Sequence, residues 1–422
     1  MKKFNTSPIS GMQELTPALQ AQFDNLKSGI AQAFRAHGFQ HIETPIIERT
    51  EVLLAKAGGD TEKQIYKVVK TAETAHDADQ ALRFDHTVPL ARYTVEHMND
   101  LAFPFKVTQI ARNFRGERAQ RGRFREFYQC DVDVIGRGEL AVAYDAEVIA
   151  TLAEAIRTLP LPSFVVRISN RKLLGGMLEE LNLEHLASEI FDIVDHAEKV
   201  PMEKTVARLE ELGLGEENVV KITTFIGISG VRESVVEKLQ SFGFENETFQ
   251  AGAAELDEVM MLIGELSPET EVMADMLIVR GLDYYTGTVF ETIVPERREL
   301  GSICSGGRYE NLAGYYTDQK LPGVGGSIGL TRLFFMLQDC GLVTASEQRP
   351  VEICVVPITK NEVSAAERVA RELRSAGKTV DLVLSEKKLG DKMKYASRVA
   401  RYVAVIGEDE AKSGEYELRE LK

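Results

Sequence analysis

The residues best suited to chemistry in this chain are arginines in unusual settings. The segment from Arg112 to Arg125 carries six arginines against one glutamate, and Arg280 and Arg332 stand among apolar and glycine neighbours. Guanidinium groups bind phosphate oxygens through paired hydrogen bonds and stay charged at every working pH. The pattern favours phosphoryl or nucleotidyl chemistry, in which positioning and electrostatic stabilisation do most of the work.

Plainer interpretations of these arginines stay open at this point. A solvated basic turn would also account for Arg118, Arg121 and Arg125, and an internal salt bridge for Arg280 or Arg332. Metal and hydrolase chemistry has little support, because all seven histidines precede position 197 and no HExxH pattern occurs. We therefore predict no metal site built from protein ligands.

Composition and charge indicate a globular chain of several domains. Its 422 residues are 44% apolar and 27% charged, which at about 150 residues per domain predicts two or three domains. The net charge of -15 excludes a uniformly basic nucleic-acid coat but allows local basic clusters. Four widely separated cysteines without a CxxC pair indicate reduced thiols and a cytoplasmic location. Without an apolar run of about 18 residues, we expect no membrane span.

Hydrophobic spacing predicts the elements that would hold the arginines. Residues Thr16 to His37 have apolar side chains at helical spacing, and His41 to Ile47 reads as a short strand interrupted by Pro45. Two extended runs between Phe103 and Ile135 predict a long hairpin around the arginine-rich turn.

The second arm of this hairpin alternates in character. One face carries Tyr128, Cys130, Val132 and Val134, and the other carries Phe127, Gln129, Asp131 and Asp133. The first face should pack on the core and the second should line a pocket. With Asp85 and Thr87, the polar face would suit a small cationic or amine-bearing substrate.

The rest of the chain divides by element type. Residues from about Ser169 to Gly264 are acidic and helix-rich, and strand and glycine-rich loop character returns from Met276, ending in an apolar helix from Leu330 to Leu337. From Val351 onward, strands and helices alternate, which predicts a small α/β domain with a mostly parallel sheet. This last part carries 14 Lys and Arg against 13 Asp and Glu. Its candidate polyanion face, for which a solvated helix face is the alternative, contains Lys387, Lys388, Lys392, Lys394, Arg398 and Arg401.

Several segments resemble those of one enzyme family. Arg280 to Glu291, reading RGLDYYTGTVFE, and Cys304 to Glu310, reading CSGGRYE, resemble the two segments peculiar to histidyl-tRNA synthetases. The stretch from Phe114 to Asp133 resembles motif 2 of the class II synthetases, Gly325 to Arg332 resembles motif 3, and the region around Pro45 resembles motif 1. The resemblance covers nearly the whole chain, in the family's order.

The resemblance implies an α+β catalytic domain with an antiparallel sheet, a helical insertion and a C-terminal anticodon-binding α/β domain. The implied boundaries are 1–168 and 265–346 for the two catalytic parts, 169–264 for the insertion and 351–422 for the last domain. A homodimer joined through the region of Pro45 is also implied. The chain ends at Leu421-Lys422, where the family usually continues into a further helix.

The implied reaction joins histidine to ATP, with Mg²⁺, as histidyl-adenylate and pyrophosphate, and then transfers histidine to the 3′ end of tRNA(His). An attacking carboxylate needs no general base, which agrees with the arginine-rich pattern. The implied ATP ligands are Arg115 and Arg332 at the phosphates, Glu117 at the adenine amino group and Phe127 on the adenine ring. Arg280 is implied to lie against the α-phosphate and, with Arg115, to act in catalysis.

The implied histidine ligands are Asp85, Thr87, Gln129 and Asp133 at the amino group, with Tyr285 and Tyr309 at the imidazole. Arg118 and Gln120 are implied to lie near the extra 5′ guanosine of tRNA(His), and charge alone predicts tRNA contacts for Lys392 and Arg398. Where many bacterial members have glutamate, this chain has Asp85 and Asp133, which resembles the eukaryote-like branch of the family.

Two other functions remain as alternatives. One is a histidine-sensing regulatory subunit of ATP phosphoribosyltransferase, although such relatives usually lack the C-terminal domain and degrade the RGLDYY segment, both of which this chain has. The other is a tRNA-binding protein without catalysis, against which the intact Arg115, Arg280 and Arg332 argue.

Overall fold

The computed structural model describes residues 4–55, 62–72, 78–119, 121–279, 284–344, 349 and 351–421. The chain forms two compact units. One consists of Met1–Glu14 and Leu26–Leu342, and the other of Leu15–Asn25 and Val343–Lys422.

A nine-stranded sheet forms the centre of the first unit. The strands of this unit are β1 (Gln40–His41), β2 (Ile47–Arg49), β3 (Lys67–Val68), β4 (Gln80–Leu82), β5 (Phe105–Phe114), β6 (Glu126–Ile135), β7 (Val165–Asn170), β8 (Ser229–Gly230), β9 (Val272–Asp275), β10 (Thr288–Ile293), β11 (Cys304–Tyr309) and β12 (Gly323–Ile328). The large sheet has the order β1-β5-β6-β12-β11-β10-β7-β9-β8 and is antiparallel except for the pairs β1–β5 and β7–β9. A small sheet has the order β2-β4-β3. The predicted antiparallel sheet and the predicted hairpin, β5–β6, are confirmed.

Helices cover this sheet and fill the segment between β7 and β9. They are α1 (Pro17–Ala36), α2 (Thr50–Leu54), α3 (Thr87–Glu96), α4 (Ala143–Arg157), α5 (Arg171–Glu180), α6 (Ala187–Ala197), α7 (Met202–Glu211), α8 (Glu216–Ile226), α9 (Arg232–Gln240), α10 (Glu247–Leu266) and α11 (Leu330–Asp339). The predicted helices at Thr16–His37 and Leu330–Leu337 are confirmed as α1 and α11. None of the helices in the described ranges combines the length and apolar character that crossing a bilayer requires.

The predicted strand from His41 to Ile47 forms only at its two ends, and Pro45 lies in the interruption. β1 ends at His41 and β2 begins at Ile47. Pro45, between them, has no amide hydrogen to give to a strand partner. Between them, the side chain of Gln109 accepts hydrogen bonds from the backbone and hydroxyl of Thr44. Side-chain contacts thus replace a strand partner at this point.

The helix-rich segment begins later than its predicted start at Ser169. Ser169 and Asn170 close strand β7, and the Asn170 side chain caps α5 by accepting from the Lys172 amide at 3.0 Å. Within this segment, strand β8 pairs with β9 at the edge of the large sheet. The domain boundaries given above stay a prediction.

The second unit contains a four-stranded sheet. Its strands are β13 (Val351–Pro357), β14 (Val380–Leu382), β15 (Ala400–Ile406) and β16 (Arg419–Glu420), and its helices include α12 (Val363–Ser375), α13 (Leu389–Val399) and α14 (Glu408–Ser413). β13 is parallel to both β14 and β15, whereas β16 is antiparallel to β15. The predicted α/β organisation with a mostly parallel sheet is confirmed. β13 is rich in valine and isoleucine, and both of its faces are buried against helices. Burial on both faces is typical of a parallel sheet.

Candidate active site

A cavity of about 150 Å³ lies where the hairpin turn meets β12 and the start of α11. We call it the arginine cavity. It brings together all four residues predicted to bind ATP, which are Arg115, Glu117, Phe127 and Arg332. They come from the hairpin turn, the second hairpin strand and the first turn of α11, segments far apart in the sequence.

Arg115 is held in a fixed orientation at the end of β5. Its Nε donates to the carbonyl of Phe84 at 3.1 Å, and its guanidinium lies 5.1 Å from the ring centroid of Phe127. Its backbone amide pairs across the hairpin with the Arg125 carbonyl at 2.9 Å. These contacts leave the planar guanidinium as a wall of the cavity, an orientation in which it can bind an oxyanion.

Arg332 donates to the backbone carbonyls of Gly122 and Ser302 at 3.1 and 2.8 Å. Burial lowers the pKa of Arg332, and the charge of Arg123 lowers it further. A carbonyl offsets a cation less than a carboxylate does, so the cavity keeps a positive potential that a bound anion would relieve.

A second cavity, of about 240 Å³, adjoins the first. We call it the carboxylate cavity. It brings together all six residues predicted to bind histidine, namely Asp85, Thr87, Gln129, Asp133, Tyr285 and Tyr309. The residues that line both cavities are Arg115, Gln129, Ser305 and Ser327.

Asp85 presents an unpaired oxygen at this site. Its Oδ1 accepts from the Val88 amide in the first turn of α3 at 3.2 Å, while its Oδ2 is buried without a hydrogen-bond partner among the described residues. Burial raises the pKa of Asp85 from 3.8 to about 6. An unpaired buried carboxylate oxygen is costly, and a cationic ligand would offset that cost.

Asp133 and the tyrosines form the polar remainder of the cavity. The Tyr309 hydroxyl donates to Asp133 Oδ1 at 3.1 Å. Burial raises the pKa of Asp133, Tyr309 and Tyr285, and the charge of Asp133 raises those of both tyrosines further. The two tyrosines therefore stay protonated as neutral hydroxyls at physiological pH.

Glycines form the floor of the carboxylate cavity. Gly306 and Gly326 face each other across β11 and β12, next to Gly325. A Cβ atom at Gly325 would lie 2.0 Å from Oδ1 of Asp133, and one at Gly306 would lie 2.2 Å from the carbonyl of Gly325. We call these three residues the glycine floor. At Gly325 the missing side chain leaves the space beside Asp133, whereas a Cβ at Gly306 or Gly326 would meet Phe290 on the other face of the sheet.

A buried hydrogen-bonded chain, which we call the pocket network, runs behind this site and was not predicted. Asn113 donates to Gln129 Oε1 at 2.8 Å, Gln129 Nε2 pairs with Ser327 Oγ at 2.7 Å, and Ser327 donates to Asp131 Oδ1 at 2.5 Å. Asp131 Oδ2 lies 2.9 Å from Nδ1 of His86. Asp131 and Ser327 line the carboxylate cavity, and strand alternation had placed Asp131 on the pocket face.

The remaining predicted site residues lie elsewhere. Arg280 and Gln120 fall outside the described residues, and Arg118 is exposed on the hairpin turn. Arg398 is exposed on α13. The prediction that Lys392 belongs to an exposed polyanion face is wrong, because Lys392 is only 4% exposed and its Nζ donates to the Pro357 carbonyl at 2.7 Å.

The raised pKa of Asp85 predicts that its neutral variant is more stable. Between pH 4 and 6 the native protein holds this proton more tightly than the unfolded chain, so stability falls as the pH rises through the folded pKa of about 6. Asp85→Asn should exceed the wild type by about 1 to 3 kcal/mol at pH 8. This advantage should fade by pH 4, below which both states are protonated.

Denaturant unfolding at pH 8 and pH 4 measures this difference. The exposed Asp318 provides the control, since Asp318→Asn should change stability little at either pH. An advantage for Asp85→Asn of the same size at both pH values would contradict the assignment.

Comparison with known proteins identifies the family. A family model described as histidyl-tRNA synthetase matches residues 11–333, and one described as anticodon binding domain matches residues 352–422. The chain is 41% identical to the histidine–tRNA ligase of Clostridium tetani, covering 100% of this chain and 96% of the relative. It is 42% identical to that of Xanthomonas campestris pv. campestris, covering 100% and 93%.

A solved histidyl-tRNA synthetase from Nostoc sp. PCC 7120 superposes with a TM-score of 0.87 at 37% identity, covering 99% of this chain and 95% of that one. The antiparallel sheet and the α/β anticodon-binding domain are those of a class II aminoacyl-tRNA synthetase. Because the sequence identity of 41% extends over the whole chain, the chain belongs to the histidyl-tRNA synthetase family.

The predicted activity, that of a histidine–tRNA ligase, is confirmed by these matches. The regulatory alternative is weaker. A protein from Bacillus halodurans described as an ATP phosphoribosyltransferase regulatory subunit/histidyl-tRNA synthetase superposes with a TM-score of 0.80. At 21% identity, that likeness shows a common fold alone.

Proposed function

We propose that the two cavities hold the two substrates of the first step, ATP in the arginine cavity and histidine in the carboxylate cavity. The observation that carries this assignment is the shared wall. Because Arg115, Gln129, Ser305 and Ser327 line both cavities, ligands in the two would meet beside Arg115. One cavity offers cations to phosphates, and the other offers carboxylates to an ammonium group.

In the proposed reaction, a carboxylate oxygen of histidine forms a bond to the α-phosphorus of ATP, and the bond from that phosphorus to pyrophosphate breaks. No proton moves, so the residues act by position and charge. Arg115 and Arg332 offset the phosphate charge. By resemblance to the family, Arg280 is proposed to contact the α-phosphate. Glu117 and Phe127 hold the adenine. In the second step, a hydroxyl oxygen at the 3′ end of tRNA(His) forms a bond to the carbonyl carbon of histidine. The bond from that carbon to AMP breaks, and the hydroxyl proton is released.

Histidine recognition uses both kinds of group in the carboxylate cavity. Asp85, Thr87, Gln129 and Asp133 receive the amino group, while the neutral hydroxyls of Tyr285 and Tyr309 hydrogen-bond the imidazole. Analogues that leave such buried polar groups unpaired are rejected by about 10⁴-fold. At the hairpin turn, Arg118 and Gln120 are proposed to contact the extra 5′ guanosine of tRNA(His).

Mg²⁺ is proposed to enter with ATP. Among the described residues, no group of three or more His, Cys, Asp or Glu side chains is placed to hold a metal ion. Mg²⁺ commonly keeps its water ligands and binds substrate phosphates, so it needs no protein cage. Bound there, it would share the neutralisation of phosphate charge with Arg115 and Arg332.

A homodimer in the cytoplasm is the proposed state of the protein. Beside Pro45, Ile46 and Ile47 are 39% and 47% exposed, and a groove of about 480 Å³ is lined by residues of α1 and β5. Apolar surface of this kind favours a partner. Light scattering at micromolar concentration measures the mass of the protein in solution and so tests the dimer.

The four cysteines are free, which favours the reducing cytoplasm as the location.

ATP–pyrophosphate exchange with each of the twenty amino acids, in the absence of tRNA, tests the proposed first step. Exchange should occur with histidine alone. Asp133→Asn is a matched variant, because it removes one cavity charge while keeping the shape, and it should weaken histidine-dependent exchange. Folded protein that exchanges with no amino acid would overturn the assignment and support the regulatory alternative.

The exposed basic residues of α13 are proposed to contact tRNA. Lys394 and Arg398 lie four positions apart on this helix and are exposed. The double variant Lys394→Ala/Arg398→Ala should weaken tRNA(His) binding and reduce the slope of log K against log salt by about 1 to 2. Filter binding at several salt concentrations measures the slope.

Lys412→Ala is the control for this surface, because it removes an exposed lysine from α14 that pairs with Glu408. Lys392→Met should lower stability and leave the salt slope alone, since its ammonium is buried on carbonyls. An unchanged slope in the Lys394→Ala/Arg398→Ala variant would exclude this face from tRNA binding.

A further inference from the structure

His86 occupies a distinctive place behind the carboxylate cavity. It lies between two lining residues, Asp85 and Thr87, at the N-terminal end of α3, yet it does not line the cavity itself. Its side chain is fully buried and its Nδ1 lies 2.9 Å from Oδ2 of Asp131 on β6. The contact therefore joins two walls of the cavity that are formed by separate segments.

The direction of every hydrogen bond in the pocket network follows from Asp131. The Ser327 hydroxyl donates to Asp131 Oδ1, and a carboxylate oxygen accepts, so Nδ1 of His86 is the donor to Asp131 Oδ2. The Ser327 hydroxyl has one hydrogen, which it donates to Asp131, so it accepts from Gln129 Nε2. Gln129 Oε1 therefore points toward Asn113 and accepts from its Nδ2. The network thus fixes which end of the Gln129 amide faces each neighbour.

The same residue also fixes the backbone on its own side of the cavity. The carbonyl of His86 accepts from Gln109 Nε2 at 3.3 Å, and Gln109 is anchored by the Thr44 hydroxyl at 2.9 Å. The start of α3 is therefore held to β5 through its backbone and to β6 through the imidazole. Because Asp85 and Thr87 are the chain neighbours of His86, these contacts also hold them in place.

We infer that His86 is a positioning residue for histidine binding, which sets the spacing between Asp85 and Thr87 on one wall and Gln129 and Ser327 on the other. The inference rests on the proposed function of the carboxylate cavity. His86 touches no substrate in this assignment and acts through Asp131. Its loss should therefore appear in the KM for histidine, while the KM for ATP stays within about twofold, since a misplaced wall mainly weakens binding of the ligand it faces.

A matched pair of amide variants tests the inference. In His86→Asn, an amide nitrogen can take the position of Nδ1 and still donate to Asp131, whereas in His86→Gln the amide lies one bond too far. ATP–pyrophosphate exchange should give a KM for histidine about 10- to 100-fold above wild type for His86→Gln, and within about threefold for His86→Asn. Equal KM values for the two variants would overturn the inference.

Two further variants make the result specific. Thr94→Val, which changes a buried hydroxyl on the same helix with no hydrogen-bond partner among the described residues, should leave the KM for histidine unchanged. Ser327→Ala should raise the KM for histidine. The double variant Ser327→Ala/His86→Gln should have a KM little above that of the single variants, because both substitutions break the same pocket network. Additive effects would show that the two residues act separately and would refute the positioning role.

Failure of this inference is distinguishable from failure of the proposed function. If the wild type lacks histidine-dependent exchange, the substrate assignment fails and the KM comparison with it. If the wild type exchanges with histidine but His86→Gln keeps the wild-type KM, the cavity assignment stands and only the role of His86 is refuted.

Discussion

Replacing Arg115 with alanine is expected to slow histidyl-adenylate formation by about 10³-fold. Arg115 lines both cavities, and its Nε is already engaged with the Phe84 carbonyl. The remaining guanidinium nitrogens are thus held where the carboxylate of histidine and the phosphates of ATP should meet. Arg115→Lys should lose about 10²-fold despite its charge, because an ammonium cannot reproduce the planar fork.

Single-turnover formation of the adenylate at saturating histidine and ATP measures this effect. Arg137→Ala provides the control, because it removes an exposed arginine at the far end of the same hairpin that contacts Gln319. Its rate should match that of the wild type. If Arg115→Ala reacted within about tenfold of the wild type, Arg115 would have no part in stabilising the transition state.

The second large effect expected is on stability, from Arg308→Leu. Arg308 is buried on β11 and makes hydrogen bonds to both carboxylate oxygens of Asp145 on α4, at 2.8 to 3.1 Å. It also donates to the carbonyls of Leu140 and Ala141. Burial raises the pKa of Asp145, and the charge of Arg308 opposes this rise. Leucine would leave a buried carboxylate unpaired, at a cost of about 3 to 5 kcal/mol.

Denaturant unfolding at pH 7.5 measures this loss, which is a large fraction of a typical folding free energy. The double variant Arg308→Leu/Asp145→Leu should recover a substantial part, because it removes the unpaired charge as well. Arg371→Ala, which breaks an exposed pair with Glu367, should produce no measurable change. A double variant less stable than Arg308→Leu alone would contradict the charge argument.

The hairpin and its pocket face were predictable because a strand repeats every two residues. That period alone put Gln129, Asp131 and Asp133 on one side, and the structure places all three in the carboxylate cavity. The resemblance supplied the partners from distant segments, Tyr285 and Tyr309, which no local pattern connects to β6. The structure places these residues around one cavity, and their roles there are proposals.

The pocket network could not be predicted from the sequence. Its members come from α3, β5, β6 and β12, and a hydrogen bond between them depends on strand register and side-chain direction, which no local pattern contains. His86 gives no signal of its own, since a histidine beside Asp85 suits many environments. The prediction that Lys392 is exposed was wrong for a related reason. Charge counting recognises a basic helix but not which of its lysines turns inward.

The glycine floor limits how this pocket can be altered by mutation. Protein engineers enlarge a binding site by replacing bulky side chains with smaller ones, but Gly306, Gly325 and Gly326 have none to trim. A side chain at Gly325 would narrow the space, because its Cβ would lie 2.0 Å from Asp133, and one at Gly306 or Gly326 would collide with Phe290 behind the floor. A variant that accepts a larger histidine analogue must therefore be sought at the walls, at Tyr285 or Tyr309.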